Sequence, residues 1–147
     1  YVAIAVASAL LVFLDACIRR EHYRQNRDKL DSVVNVFDAL GLGVFTVSGV
    51  QMAIDQYGMG NPFLLVLMGM TTGVGGGMLR DVLIDAMPKV LRKRIYAVAS
   101  IVGAIGYYLL LRFGVDQTLS TIIITVLITA LRILATVFKW NMPQAKL

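Results

Sequence analysis

The sequence predicts an all-α fold, a polytopic helical membrane protein. Hydrophobic residues fill 58% of the 147 positions against 16% charged, and the mean hydropathy is +0.74. A soluble domain carries about 25% charged residues. The apolar residues also gather into stretches of membrane-spanning length, and the basic residues gather between those stretches. This composition argues against a soluble enzyme and against a disordered chain, and the expectation is a protein that is not an enzyme. The 14 Lys+Arg exceed the 9 Asp+Glu, but their placement between apolar runs is that of membrane topology, so no nucleic-acid partner is expected. One cysteine, Cys17, and one histidine, His22, exclude a disulfide framework and a Cys/His zinc site.

Five apolar stretches follow in order. Residues 1–14 are short for a span and read as the end of one; Tyr1 already lies inside an apolar run, so the chain reads as a fragment. Residues 33–54 are interrupted by Asn35, Asp38 and small or mildly polar residues. Residues 62–79 carry glycines, 95–111 carry no charge, and 118–138 carry Arg132. The last four stretches hold 17 to 22 residues each, enough to cross a bilayer as helices at about 1.5 Å per residue. A lipid-exposed strand would leave its backbone groups unpaired.

The connecting segments alternate in charge. Residues 15–32 hold five basic residues (Arg19, Arg20, Arg24, Arg27, Lys29), 55–61 none, and 80–94 five (Arg80, Lys89, Arg92, Lys93, Arg94). Residues 112–117 hold Arg112 alone, and the tail 139–147 holds Lys139 and Lys146. The positive-inside rule then places 15–32, 80–94 and the C-terminus in the cytoplasm. Anionic lipids are expected partners of the basic segments, at roughly 1 kcal/mol per basic residue.

Four features are candidates for function. The first is the run Thr71-Thr72-Gly73-Val74-Gly75-Gly76-Gly77 in the third stretch. Each helical glycine costs roughly 1 kcal/mol relative to alanine, so the run favours a kink or a break whose freed carbonyls must face water, an ion or protein. Discontinuous helices build ion and substrate sites in this way. Close helix packing is the competing reading, because Gly69, Gly73 and Gly77 form a small-xxx-small ladder. A phosphate loop is excluded, since Met78-Leu79-Arg80 follows with no Gly-Lys-Ser/Thr. The second feature is the pair Arg80 and Asp81, which can set ion access, or of which Arg80 can cap the helix end or meet lipid phosphate.

The third feature is Asp38, which shares one helix face with Gly41, Phe45 and Gly49. It is either a functional acid inside a span or a charge near a helix N-terminus, favourable with the macrodipole. The fourth is a stripe of Thr118, Thr121, Thr125, Thr129, Arg132 and Thr136, extended by Lys139. It suits a hydrated wall or a helix–helix contact, while threonines can equally bond their own i−4 carbonyls and Arg132 can snorkel to the interface.

Asp38-Ala39-Leu40-Gly41 with Phe45 and Gly49, then Thr72-Gly73-Val74-Gly75-Gly76-Gly77-Met78-Leu79-Arg80-Asp81, then Pro88 and Tyr96, resemble the second repeat of the trimeric intracellular cation (TRIC) channels. The resemblance is to the prokaryotic branch, whose members carry a glycine transporter domain, and it covers about residues 33–111. It implies seven transmembrane helices, two inverted three-helix repeats plus a final helix, of which this chain holds helices three to seven. The similarity of Tyr1-Val2-Ala3-Ile4-Ala5 to Tyr96-Ala97-Val98-Ala99-Ser100 fits a first-repeat counterpart, with about 60 further residues upstream.

The expected organisation is the end of a first-repeat helix over 1–14, a basic cytoplasmic linker over 15–32, the second repeat over 33–111, a final helix over 112–138 and a cytoplasmic tail over 139–147. The resemblance further implies a homotrimer in a prokaryotic inner membrane. Each protomer would have its own pore, bordered by helices kinked at their glycine runs. Gly73, Gly75, Gly76 and Gly77 are carried over as the kink and pore lining, and Arg80, Asp81 and Asp38 as pore-mouth or gating candidates. Thr121, Thr125, Thr129 and Arg132 are pore-wall or helix-contact candidates on their spacing alone. The expected activity is passive conduction of monovalent cations, mainly potassium, with no cofactor. A small amino-acid (glycine) transporter working by alternating access is the alternative, and a structural membrane subunit is a third reading.

Overall fold

The computed structural model describes residues 27–83 and 95–138, together with Ala7 and Leu10. It contains four long helices, α1 (Arg27–Tyr57), α2 (Pro62–Leu83), α3 (Ile95–Arg112) and α4 (Gln117–Val137), and no strand among the described residues. The all-α class read from composition is the class observed. Among the described residues, three helices are long and apolar enough to cross a membrane: α1 from Ser32 to Tyr57, α2 and α4. The apolar part of α3, Tyr96–Arg112, is shorter; at 1.5 Å per residue it reaches about 26 Å, slightly less than a ~30 Å hydrocarbon core.

The helix ends follow from local chemistry. Gly58, directly after α1, and Gly114, two residues past the end of α3, adopt φ of +72° and +79°, the left-handed region open to glycine. At the second site the Val115 N–H donates to the Leu110 carbonyl and the Gly114 N–H to the Leu111 carbonyl, both at 3.1 Å, the paired bonds of a Schellman end. Pro62 opens α2, where a missing N–H costs nothing, and the Asn61 side chain accepts from the Leu64 N–H at 3.2 Å. Asp116 caps α4, its Oδ2 accepting from the N–H groups of Thr118 at 2.9 Å and Leu119 at 3.3 Å.

Helix boundaries exceed the apolar runs at two places. α1 starts at Arg27, inside the segment expected as a linker, because Asp28, Lys29 and Asp31 bring charge but no helix breaker. α2 continues to Leu83, past the expected end at residue 79, because the charges of Arg80 and Asp81 are neutralised inside the protein. The expected span over 1–14 lies outside the described residues apart from Ala7 and Leu10, which are helical. The basic residues Arg19, Arg20 and Arg24, the segment 84–94 with Pro88, and the tail from Lys139 also lie outside them.

The chain divides into two compact units, Tyr1–Asn35 and Val36–Leu147. The described part of the first is Ala7, Leu10 and the opening turns of α1. The second holds every contact described below. Four-residue links join α1 to α2 and α3 to α4, and links that short make the joined helices antiparallel neighbours. α3 packs against both α2 and α4, while α1 meets α3 through a buried 2.8 Å hydrogen bond between the hydroxyls of Thr46 and Ser100. Leu42, Val50, Leu65, Ala104, Tyr107 and Ile128 form the centre of the core.

Glycines set how closely the helices approach. A Cβ at Gly69 would meet the Val50 side chain and, at 3.0 Å, the Thr46 carbonyl; one at Gly43 would meet the Thr125 carbonyl at 3.0 Å. Gly103 lies against Ile128 in the same manner. Small residues at such crossings are how helices associate where lipid removes the hydrophobic drive between them. The outward faces remain apolar, with Phe37, Met52, Phe63, Leu79, Ile122 and Val126 exposed, as suits a surface in contact with hydrocarbon or further helices.

Replacing Gly69 by alanine presses on Val50 and on the Thr46 carbonyl, and replacing Gly103 presses on both Cδ1 and Cγ1 of the fully buried Ile128. Gly69→Ala and Gly103→Ala should therefore each destabilise the protein by about 1–3 kcal/mol, measured as thermal unfolding in detergent.

Candidate functional site

Among the described residues, one end of the bundle carries four charges drawn from three helices. Asp38 lies well inside α1, whose first turn begins at Arg27, so a favourable position at a helix N-terminus does not account for it. Its side chain is 5% exposed; Oδ1 accepts from Nη1 of Arg80 at 2.7 Å and Oδ2 from Nη2 of Arg132 at 3.1 Å. Asp81, also on α2 and buried, accepts at Oδ1 from Arg80 Nε at 3.0 Å and Nη2 at 2.8 Å. Arg132, on α4, is 4% exposed, and its guanidinium carbon lies 4.3 Å from the centre of the buried Tyr96 ring of α3.

Among the described residues, the two carboxylates and two guanidinium groups balance in charge. A lone charge at this depth would be costly in a bilayer, and pairing is the usual remedy. Arg80 thus neither caps α2 nor turns to lipid: its guanidinium is engaged by two carboxylates, while its side chain stays 35% exposed. Arg132 does not snorkel, because Asp38 offers a counter-charge inside the bundle. Among the described residues no group of three or more His, Cys, Asp or Glu side chains stands together.

The glycine run does not break α2, which is a continuous α-helix from Pro62 to Leu83. The expected break is corrected by the cost of unpaired backbone groups in lipid, several kcal/mol each, against roughly 1 kcal/mol per glycine for staying helical. The run also divides in two. A Cβ at Gly73 would meet the hydroxyl of Thr46 and, at 3.2 Å, that of Ser100, and one at Gly77 would meet the phenol of Tyr96. These are packing glycines. At Gly75 and Gly76 a Cβ would meet nothing within 4 Å among the described residues. Packing and an open helix face are therefore both present, one or two residues apart.

The threonine stripe lies where α4 meets its neighbours. The hydroxyls of Thr121, Thr129 and Thr136 donate to the carbonyls of Gln117 at 2.9 Å, Thr125 at 2.7 Å and Arg132 at 2.9 Å, each on their own helix. Thr125 abuts Gly43, and Thr129 reaches within 3.5 Å of the Ala39 carbonyl, both on α1. Thr118 is exposed near the Asp116 cap. The structure thus brings Asp38, Arg80, Asp81 and Arg132 together, and leaves Thr121 at the other end beside Tyr107, 3.4 Å away.

Sequence reading missed the polar face of α3. Tyr96, Ser100 and Tyr107 are all buried; Ser100 bonds Thr46, and the Tyr107 hydroxyl donates to Gln51 Oε1 at 2.8 Å. The signal was present, since Tyr96, Ser100, Ala104 and Tyr107 recur at i, i+4, i+8 and i+11 on one face of an otherwise apolar helix.

Comparison with known proteins gives consistent matches. The family model described as "Glycine transporter" matches residues 35–112. The inner membrane protein YadS of Escherichia coli K12, of the UPF0126 group, is 45% identical over 82 residues, 56% of this chain and 39% of that protein. The UPF0126 membrane protein YvgT of Bacillus subtilis is 29% identical over 146 residues, 98% of this chain and 65% of that protein. A solved structure described as "Structural basis for conductance through TRIC cation channels" superposes with a TM-score of 0.76 at 29% identity, covering 96% of this chain and 66% of that one. The chain spans less than two thirds of the length of each of these relatives.

Removing the shared carboxylate leaves buried Arg132 without its counter-charge. Asp38→Ala should cost about 3–5 kcal/mol, whereas Arg80→Gln, at the more exposed position, should cost less than half as much. Unfolding of the two variants in detergent, compared with the parent protein, checks the order.

Proposed function

The chain belongs to the glycine transporter family, the domain of the TRIC membrane proteins, and on that premise we propose that the protein conducts monovalent cations, mainly potassium, through a pore bordered in each protomer by α2. The observation that carries this reading is the open face of α2 at Gly75 and Gly76, which leads within one turn to the partly exposed Arg80. Glycine leaves the helix backbone bare, so its carbonyl dipoles stand closer to a passing ion than any side chain would allow. The likeness over 96% of the chain to a structure described as a TRIC cation channel supports it.

Electrostatics agree with a cation path. The chain is basic overall, +5 at pH 7, which would oppose cation entry if every cation stood free. Asp38 and Asp81 neutralise Arg80 and Arg132 inside the bundle. Arg80 is the member able to leave, since the other three side chains are nearly enclosed. We place the gate at this group: with Arg80 across both carboxylates the path is closed, and displacement of its guanidinium exposes carboxylate oxygens to a cation. The unbroken helix removes freed carbonyls from the mechanism, so opening proceeds by movement of an intact α2 about Gly75–Gly77.

The remaining parts of the proposal follow the family. The protein acts as a homotrimer in the bacterial inner membrane, with its C-terminus and basic segments on the cytoplasmic side, against anionic lipid. It conducts passively, without catalysis or a cofactor. A glycine transporter is the second reading, favoured by the description of the matching family; there Asp38 would meet the substrate ammonium group.

Reconstituting the full-length protein in liposomes, with potassium flux and radiolabelled glycine uptake measured together, separates the two. Fast, non-saturating potassium flux without glycine uptake is expected; saturable glycine uptake with no independent potassium leak overturns the channel. Gly76→Leu enters open space, so it should leave unfolding unchanged while lowering potassium flux at least ~10-fold, as obstruction of a narrow path requires.

A further inference from the structure

The four charges connect α1, α2 and α4, yet the contact that closes the circuit runs through α3. Gly77 of α2 carries the hydroxyl end of Tyr96, the Tyr96 ring carries the Arg132 guanidinium, Arg132 holds Asp38, and Asp38 holds Arg80 back on α2. We propose that Tyr96 is the positioning residue of the gate, its ring face fixing Arg132 against Asp38 and its phenol edge sensing the place of α2 at Gly77. This rests on the channel reading above.

Three observations on separate residues support the role. Tyr96 is 2% exposed, so the ring cannot turn away into solvent or lipid. Among the described residues, Arg132 pairs with Asp38 through Nη2 and its Nε has no hydrogen-bond partner, while its guanidinium also lies over the Tyr96 ring. A cation over a ring is held more strongly when both are desolvated. At Gly77, finally, a Cβ would meet the phenol oxygen and, at 3.2 Å, the Cζ of Tyr96. The ring fits only because position 77 has no side chain.

Asp38 is thus held from two directions. Arg80 reaches it directly from α2, and Arg132 reaches it from α4 with Tyr96 beneath. Any displacement of α2 at Gly77 alters the seat of the ring, and with it how firmly Arg132 engages the carboxylate that Arg80 must release. Tyr96 acts through Arg132 and touches no part of the path at Gly75 and Gly76.

The test uses the full-length protein in planar bilayers, with phenylalanine and then mono-, di- and trifluorinated phenylalanine at position 96. Fluorine draws electron density from the ring face with little change in its size, so a purely structural role would not respond to it. Single-channel potassium conductance should stay within twofold across the series, while open probability should shift stepwise with fluorine number, reaching about fivefold at the trifluoro ring. Tyr96→Phe keeps the ring face under Arg132 but loses the oxygen seated at Gly77, so it should shift open probability by less than Tyr96→Leu, which should shift at least as far as the trifluoro ring. A flat series beside intact potassium flux overturns the positioning role and leaves the channel standing. Absence of potassium flux from the parent protein overturns the channel, and this inference with it.

Discussion

The carboxylate of Asp38, shared between Arg80 and Arg132, is the interaction on which the rest of the bundle depends. Its two oxygens are engaged one each by α2 and α4, helices that are not sequence neighbours, so its position in α1 fixes the depth of both. Buried ion pairs are often weak contributors to net stability, because desolvation offsets attraction. Their effect is on alternatives: a helix slid by one turn would bury an unmatched charge. In a membrane, where apolar faces discriminate poorly between registers, that penalty does the specifying that hydrophobic packing does in water.

The glycines extend the same register along the helices. Gly69 and Gly73 admit the backbone and side chains of α1 at Thr46 and Val50, and Gly77 admits Tyr96. Spaced four apart, they turn one stripe of α2 toward its partners and leave Gly75 and Gly76 open among the described residues. One short run thereby holds the helix in place at some positions and bares its backbone at others. A polyalanine segment could do neither, since its methyl groups would clash along the stripe and cover the backbone elsewhere.

Much of this architecture was legible in the sequence, and the limits of reading have physical causes. The length of each apolar run and the charge between runs located the four described helices, because lipid thickness and backbone pairing leave few other solutions. The small-xxx-small spacing pointed to packing at Gly69, Gly73 and Gly77, and the adjacent glycines pointed to a weak helix. The sequence shows glycines that weaken the helix but not whether any neighbour would take up carbonyls freed by a break, so the continuity of α2 was not visible. The partners of Asp38 were equally hidden: Arg80 lies 42 residues away and Arg132 lies 94 away. Each charge had a plausible solitary explanation, in a helix dipole, a cap or an interface. Only the fold brings them within 3.1 Å or less of one carboxylate.

Tyr96 shows how an ordinary residue gains its role from neighbours that composition cannot assign. On an apolar helix a tyrosine reads as a membrane-interface anchor, yet here it is buried between a glycine and a guanidinium. The glycine makes room for the ring, the ring supports the arginine, and the arginine completes the charge balance of Asp38. Each step requires the one before it, so the four helices meet at a single chain of contacts. The bare glycines lie beside that chain and not within it, which leaves the helix face open while the charges next to it stay paired.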